Sequence, residues 1–163
     1  MSNAYLTRMP AGIPGDVSRK EVAKIEPGTM NTLKPVTAYG VPVKMVSGKF
    51  EPIASGDTIL GLVKGFAVRP YPMQAQSSEA LGVATPNPTQ PLDILRSGYI
   101  TVKCNGGTPA KGGIVYCRKT AGAGETLGGV EAAADGTDCE AIDRAFFMGA
   151  ADASGNVEIE FNV

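Results

Sequence analysis

Histidine is absent from all 163 residues of the sequence. Without it, neither Ser-His-Asp nor Cys-His catalysis can be built, and no metal site can have imidazole ligands. Tryptophan is absent too, and aromatic residues make up only 6% of the chain, which argues against a surface that binds sugars by stacking. We therefore predict that the protein is not an enzyme, that it has no catalytic, cofactor-binding or metal-binding residues, and that it needs no cofactor.

Cysteine is scarce. Cys104, Cys117 and Cys139 are odd in number and lack the C-x-x-C spacing of zinc and redox motifs. They are interpreted as scattered, mostly buried thiols.

Charge of one sign and long apolar runs are lacking as well. The net charge is -1 and charged residues make up 19% of the chain, so there is no strong field of the kind that draws a protein to nucleic acid. No apolar run approaches the roughly 20 residues of a membrane span, and the N-terminus has no apolar signal-peptide segment. The sequence therefore predicts a soluble, single-domain protein that is made in the cytoplasm and contacts neither membrane nor nucleic acid directly.

What the sequence does contain is the period-2 alternation of β-strands. Its clearest case is the final "NVEIEFNV", which places Val157, Ile159, Phe161 and Val163 on one face and follows a turn rich in Asp, Ser, Gly and Asn. A second hairpin is predicted in "YGVPVKMVSGKFEPI", and "GDTILGLVKGFAVRPYP" predicts a curved strand bent at its glycines. The predicted fold class is all-β, a small β-barrel or β-sandwich with long loops.

Residues 1–37 differ from the rest because they show no alternation and contain four prolines and five basic side chains. We predict an extended N-terminal arm over residues 1–37 and a β-domain over residues 38–163. One short helical turn is predicted in the arm from the capping-box spacing of Ser18 and Glu21. Residues 73–91, with three prolines near their end, predict a long loop.

The stretch "GYITVKCNGGTPAKGGIVYCRKTAGAGE" raises the question of a phosphate-binding loop. Lys111 precedes its glycine pair rather than following it, and "GAGETLG" misses the G-x-G-x-x-G spacing, so both phosphate motifs fail. The stretch instead predicts a hairpin in which Cys104 and Cys117 are offset along the strands by roughly 13 Å, too far for a disulfide.

Five acidic residues occur between positions 131 and 143. The D-x-D-x-D-G order of a calcium loop is missing, so this segment is interpreted as a charged outer loop, with metal binding as the weaker alternative.

A resemblance to a known family is carried by five stretches in order: "RMPAGIPGDVSR", "AYGVPVKM.SGKFEPI", "GLVKGFAVRPYP", "RSGYITVKCNGGTPAKGGIVYCR" and "NVEIEFNV". Over nearly its whole length the chain resembles the capsid decoration, or structural cement, proteins of tailed bacteriophages. The resemblance implies a β-module on the outer surface of the virion's assembled head, where it ties neighbouring major capsid proteins together. It implies no catalytic residues.

The resemblance and the arm together lead to a contact prediction. Arg8, Pro10, Ile13 and Arg19 are expected to lie against neighbouring capsid protein, with basic side chains meeting carboxylates and apolar ones filling grooves. A homo-oligomer is expected, with a trimer favoured and a dimer as the alternative.

Two functions from other classes remain open at this point. One is a non-catalytic virion binding module, either glycan-binding or a tail component, because surface recognition leaves few marks in one sequence. The other is a small nucleotide hydrolase on a trimeric β-barrel, which is weakened because no phosphate or base site is visible.

Overall fold

The regular structure is almost entirely β. A computed structural model describes residues 12–71, 84–122 and 124–163, and within them the chain forms nine strands and one 3-10 turn, Lys20–Val22. The strands are β1 (Lys24–Gly28), β2 (Pro42–Val46), β3 (Lys49–Pro52), β4 (Val63–Ala67), β5 (Leu92–Gly106), β6 (Ile114–Arg118), β7 (Val130–Glu131), β8 (Cys139–Phe147) and β9 (Asn156–Asn162). The predicted all-β class is confirmed.

The long strand β5 organises the fold because it pairs with four others, β1, β4, β7 and β9. Strand β7 also pairs with β6, β6 pairs with β8, β8 pairs with β9, and β9 pairs with β5. These five strands therefore close into a small barrel. Strands β4, β2 and β3 extend from the first half of β5 as a side sheet.

Two apolar clusters fill this architecture. The larger lies in the barrel and its junction with the side sheet, where the rings of Phe66 and Phe161 meet edge to face with centroids 5.1 Å apart. The smaller packs side-sheet residues against Met30 and Val36 from the chain segment that precedes β2. The side sheet is therefore held on both sides, by the barrel and by that N-terminal chain.

Both predicted hairpins are present. Strands β8 and β9 pair antiparallel, and alternation buries Val157, Ile159 and Phe161, while Val163 lies beyond the strand and is half exposed. Strands β2 and β3 pair around Ser47 and Gly48, both at positive φ, which is the two-residue turn that matches strand twist.

The curved strand is shorter than its sequence suggests, and its two glycines act differently. Gly61 lies in the turn before β4 with φ +71°. Gly65 lies inside β4 next to an irregular pairing with β2, where a Cβ would come within 2.3 Å of the Ile94 side chain and 2.5 Å of the Leu95 carbonyl oxygen. Gly65 is thus required by close packing against β5.

The predicted hairpin between residues 98 and 118 is wrong. The two segments are strands β5 and β6, but β7 inserts between them, parallel to β5 and antiparallel to β6. Val130 of β7 lies opposite both Cys104 and Cys117, so a whole strand separates the two thiols. The cysteines are free, as predicted, but the reason is the intervening strand rather than an offset along a hairpin.

The described part of the predicted arm, residues 12–37, packs on the β-structure. Strand β1 pairs with β5, and Met30 and Val36 are each only 1% exposed. The predicted helical turn exists as Lys20–Val22, but the capping box is wrong: the N-cap residue is Arg19, and no side chain caps the turn. The division of the chain at residue 37 stays a prediction, as does the part of the 73–91 loop that falls in residues 72–83, outside the described residues.

Candidate functional site

The N-terminal segment, residues 12–19, is held along β5 by main-chain hydrogen bonds. Gly15 N–H donates to the Thr101 carbonyl oxygen at 2.8 Å, and Thr101 N–H donates to the Asp16 carbonyl oxygen at 2.9 Å. Ser18 N–H extends the pairing by donating to Tyr99 at 3.2 Å. The chain therefore enters the described structure at a fixed place on the barrel.

Side chains fasten the end of this segment to β9. The Arg19 guanidinium donates to both carboxylate oxygens of Glu158, at 3.2 and 2.9 Å, and lies 3.9 Å from the centre of the Tyr99 ring. The Ser18 hydroxyl donates to Glu158 as well, at 2.5 Å. The hydrogen bond to Glu158 raises the pKa of Arg19. Arg19 therefore makes its main contacts inside its own chain.

The predicted contact residues are only partly brought together. Ile13 is 50% exposed beside Asp16, whose carboxylate accepts a hydrogen bond from Ile13 N–H. Ile13 and Arg19 thus share one short segment on the outside of β5. Arg8 and Pro10 lie outside the described residues. Contact with a neighbouring protein stays a prediction for all four.

A second polar cluster joins β6, β7 and the loops around them. The Arg118 side chain, 3% exposed, forms ion pairs with Glu125 at 2.6 Å, Glu131 at 2.5 Å and Asp135 at 2.8 Å. The hydrogen bonds that Arg118 donates to the carboxylates of Glu131 and Asp135 raise the pKa of Arg118. The interpretation of residues 131–143 as a charged outer loop is therefore wrong at both ends, because Glu131 is buried in β7 opposite β6 and residues 139–143 lie in strand β8.

The thiols are chemically quiet. Burial raises the pKa of Cys117 to about 12, and burial together with a hydrogen bond to Glu131 raises the pKa of Cys139 to about 11. Thiolate is the reactive form, so both side chains act as packing groups at neutral pH.

The described residues contain neither a metal-binding cluster nor a membrane-spanning helix. No group of three or more Cys, Asp or Glu side chains there is placed to hold a metal ion. None of the helical structure in the same ranges is long and apolar enough to cross a membrane.

The ion pairs of the described residues, among them Arg19–Glu158 and Arg118–Glu131, were not predicted from the sequence. The alternation of β9 did put Glu158 on the outer face, but nothing in the sequence joins it to a residue 140 or so positions earlier. For Arg118, its place at the end of an apolar strand next to a cysteine was a weak signal of burial. Both pairs depend on strand order, which alternation does not encode.

Comparisons with known proteins agree on one group. A family model described as XM1 gp53 minor capsid protein matches residues 1–161. A chain in the solved structure "The capsid of Myoviridae Phage XM1" superposes with a TM-score of 0.68 at 17% sequence identity, over 99% of this chain and 97% of that one. At that identity the superposition shows a shared fold. No curated protein sequence matches the chain.

Proposed function

The chain belongs to the XM1 gp53 minor capsid protein family, and on that premise we propose that it is a decoration, or cement, protein of a phage head. It is a structural protein of the virion capsid. The finer role is to bind the outer surface of the assembled head and to stabilise it by bridging neighbouring major capsid proteins. The match over residues 1–161 is the observation that carries this proposal.

The geometry is suited to a clamp. The barrel closes on itself, so its strands leave no open edge there, and the two apolar clusters make the side sheet part of the same body. The hydrogen bonds of Gly15, Asp16 and Ser18 anchor the chain to β5. In this proposal the chain that precedes the anchor contacts a second subunit beside the one under the barrel.

The partner in this proposal is the major capsid protein, and the contact residues are Arg8, Pro10, Ile13 and Arg19. A protein that binds only the assembled shell adds its binding free energy to the shell's stability, and many copies multiply the effect. The molecule acts as a homo-oligomer, a trimer in the favoured arrangement and a dimer in the alternative. It needs no catalysis, no cofactor, and no direct contact with nucleic acid or membrane for this role.

The test uses heads assembled from the major capsid protein without this chain. Full-length protein is expected to sediment with the heads and to raise the temperature at which they release DNA or dissociate. A shortened chain that begins at Gly12 is expected to bind more weakly, because Arg8 and Pro10 are lost while every described contact remains. Failure of the full-length protein to bind, or binding with no gain in head stability, would refute the cement role.

A further inference from the structure

The connection between β3 and β4, residues 54–62, which we call the strap, closes one end of the barrel. Its Ile59 side chain is fully buried and belongs to the apolar cluster of the barrel. Its Gly56 N–H donates to the Lys119 carbonyl oxygen at 3.0 Å, directly after β6 ends at Arg118. The strap itself contains no strand, so no ladder of main-chain hydrogen bonds holds it in place.

Glu140, near the start of β8, holds the tip of the strap, Ile59 and Leu60. The carboxylate of Glu140 accepts hydrogen bonds from Ile59 N–H at 3.1 Å, from Leu60 N–H at 3.3 Å and from Lys119 Nζ at 3.1 Å. Glu140 lies directly opposite Cys117 in the β6–β8 ladder, so both side chains are on the inner face of the barrel wall. The hydrogen bonds from Ile59 N–H and Lys119 lower the pKa of Glu140, which keeps it ionised at neutral pH. One ionised side chain therefore binds both main-chain donors of the tip.

The two ends of the strap are held differently. At its start, the Asp57 carboxylate accepts hydrogen bonds from Lys44 Nζ at 2.6 Å and from Ala54 N–H at 2.8 Å, and Lys44 belongs to β2. At its end, Gly61 has φ +71°, and apart from its chain neighbours no atom lies within 4 Å of the place where a Cβ would be. A glycine in open space can change its dihedral angles at little cost and so can act as a hinge. The tip can therefore move about Gly61 while Asp57 keeps the start of the strap on the side sheet.

The two buried thiols lie on opposite faces of the barrel wall. Cys117 is fully buried in the same apolar cluster as Ile59, and burial raises its pKa, with the charge of Glu140 adding to the effect. Cys139 precedes Glu140 in β8, so its side chain points to the other face, where its thiol donates to the Glu131 carboxylate at 3.3 Å. Cys117 is thus on the side of the wall that the strap closes, and Cys139 is not.

We propose that the strap is a conformational device whose tip opens about Gly61 while the barrel stays folded, with the Glu140 carboxylate controlling how often it opens. Segments held by few hydrogen bonds outside regular ladders open locally at a lower free energy than global unfolding. On opening, the tip leaves Glu140, Ile59 leaves the apolar cluster, and Cys117 becomes accessible to solvent, whereas every strand keeps its pairing. The inference goes beyond the proposed capsid function and does not depend on it.

The test compares the labelling of the two buried thiols. Native protein is alkylated at mildly alkaline pH, and the modified fraction of each cysteine is followed by peptide mass spectrometry. Glu140→Gln keeps the size of the side chain but removes its charge, so Cys117 is expected to react about tenfold faster or more than in wild type, while Cys139 keeps its rate. Asp143→Asn removes a carboxylate charge from an exposed position of the same strand and is expected to label like wild type.

Hydrogen exchange of the wild-type protein tests the opening without any substitution. The amides of Ile59 and Leu60 are expected to exchange faster than those of the β5–β9 ladder, and urea below the unfolding transition should change their rates little, because a local opening exposes little surface.

Three results would overturn the proposal. In the first, Cys117 of Glu140→Gln reacts within twofold of wild type, so that Glu140 does not hold the strap. In the second, Cys117 and Cys139 accelerate by the same factor, so that the barrel opens as a whole. In the third, the amides of the tip exchange as slowly as the β5–β9 ladder and with the same urea dependence. Should Glu140→Gln fail to fold, Lys119→Gln, which removes one partner of Glu140, must accelerate Cys117 selectively or the proposal fails.

Discussion

Shortening the chain from its N-terminus separates two roles of the first 37 residues. A chain beginning at Gly12 keeps every described residue, whereas a chain beginning at Thr37 loses β1 and the buried side chains of Met30 and Val36. We expect the first to fold like the full-length protein and the second to be severely destabilised. The division of the chain at residue 37, inferred from composition, is thereby put to an experimental test.

The size of the effect follows from burial. Met30 and Val36 are each 1% exposed and pack with Val43, Phe50 and other members of the smaller apolar cluster. Burial of such side chains contributes about 1.5–3 kcal/mol each, so their loss removes about 3–6 kcal/mol before any pairing of β1 is counted. Domains of this size are stable by about 5–15 kcal/mol, so the shortened chain should lie at or beyond the edge of folding.

The assay is thermal melting of the three chains at equal concentration, monitored by circular dichroism. The expected result is one cooperative transition for the full-length and Gly12 chains, at similar temperatures, and a strongly lowered or absent transition for the Thr37 chain. A Thr37 chain that melts within a few degrees of full length would refute the argument, since it would mean that Met30 and Val36 contribute little to the core.

Two further predictions concern titratable groups. Under denaturing, non-reducing conditions all 3 cysteines should react with a thiol reagent, and a count of fewer than 3 reactive thiols would mean a disulfide. In the native protein at pH 8, Cys117 and Cys139 should react slowly, because their pKa values are about 12 and 11. Hydrogen bonds from Ile59 N–H and Lys119 lower the pKa of Glu140, and those from Lys44 and Ala54 N–H lower the pKa of Asp57 although burial opposes them. Both carboxylates therefore stabilise the fold at pH values above their unfolded pKa values. The thermal denaturation midpoint should decrease as the pH is lowered below about 4, and it should decrease less in Glu140→Gln. A midpoint that is the same at pH 7 and pH 3 would contradict this.

Local features of the fold were predictable because they depend on neighbouring residues. Alternation in "NVEIEFNV" is the direct consequence of one face packing in the barrel and the other facing out. The Ser47-Gly48 turn was predictable for the same reason, since two residues at positive φ are what a tight hairpin needs. In both cases the partner strand follows within a few residues along the chain.

Strand order was not predictable, and the errors follow from it. Strand β7 has only two residues, Val130 and Glu131, too few to show any period, yet it separates β5 from β6. The same insertion buries Glu131 beside Arg118 and turns an apparently solvated acidic segment into part of an ion-pair cluster. The positive φ of Arg144 had no sequence signal at all, because glycine or asparagine is the usual residue there.

The arginines can be ordered by how free they are to contact a partner. Arg118, 3% exposed among three carboxylates, is a structural residue, because extracting it would leave Glu131 buried without its cation. Arg19 is 46% exposed in its pair with Glu158, and pairs that accessible to water contribute about 0–1 kcal/mol, so a capsid carboxylate can compete for it at small cost. Arg69 and Arg144 need no exchange, because neither has an ion pair with a carboxylate side chain within the described residues. Replacing Glu158 with Gln should therefore free Arg19 and leave head binding unchanged or stronger, whereas weaker binding would show that the Arg19–Glu158 pair positions the N-terminal segment for the capsid.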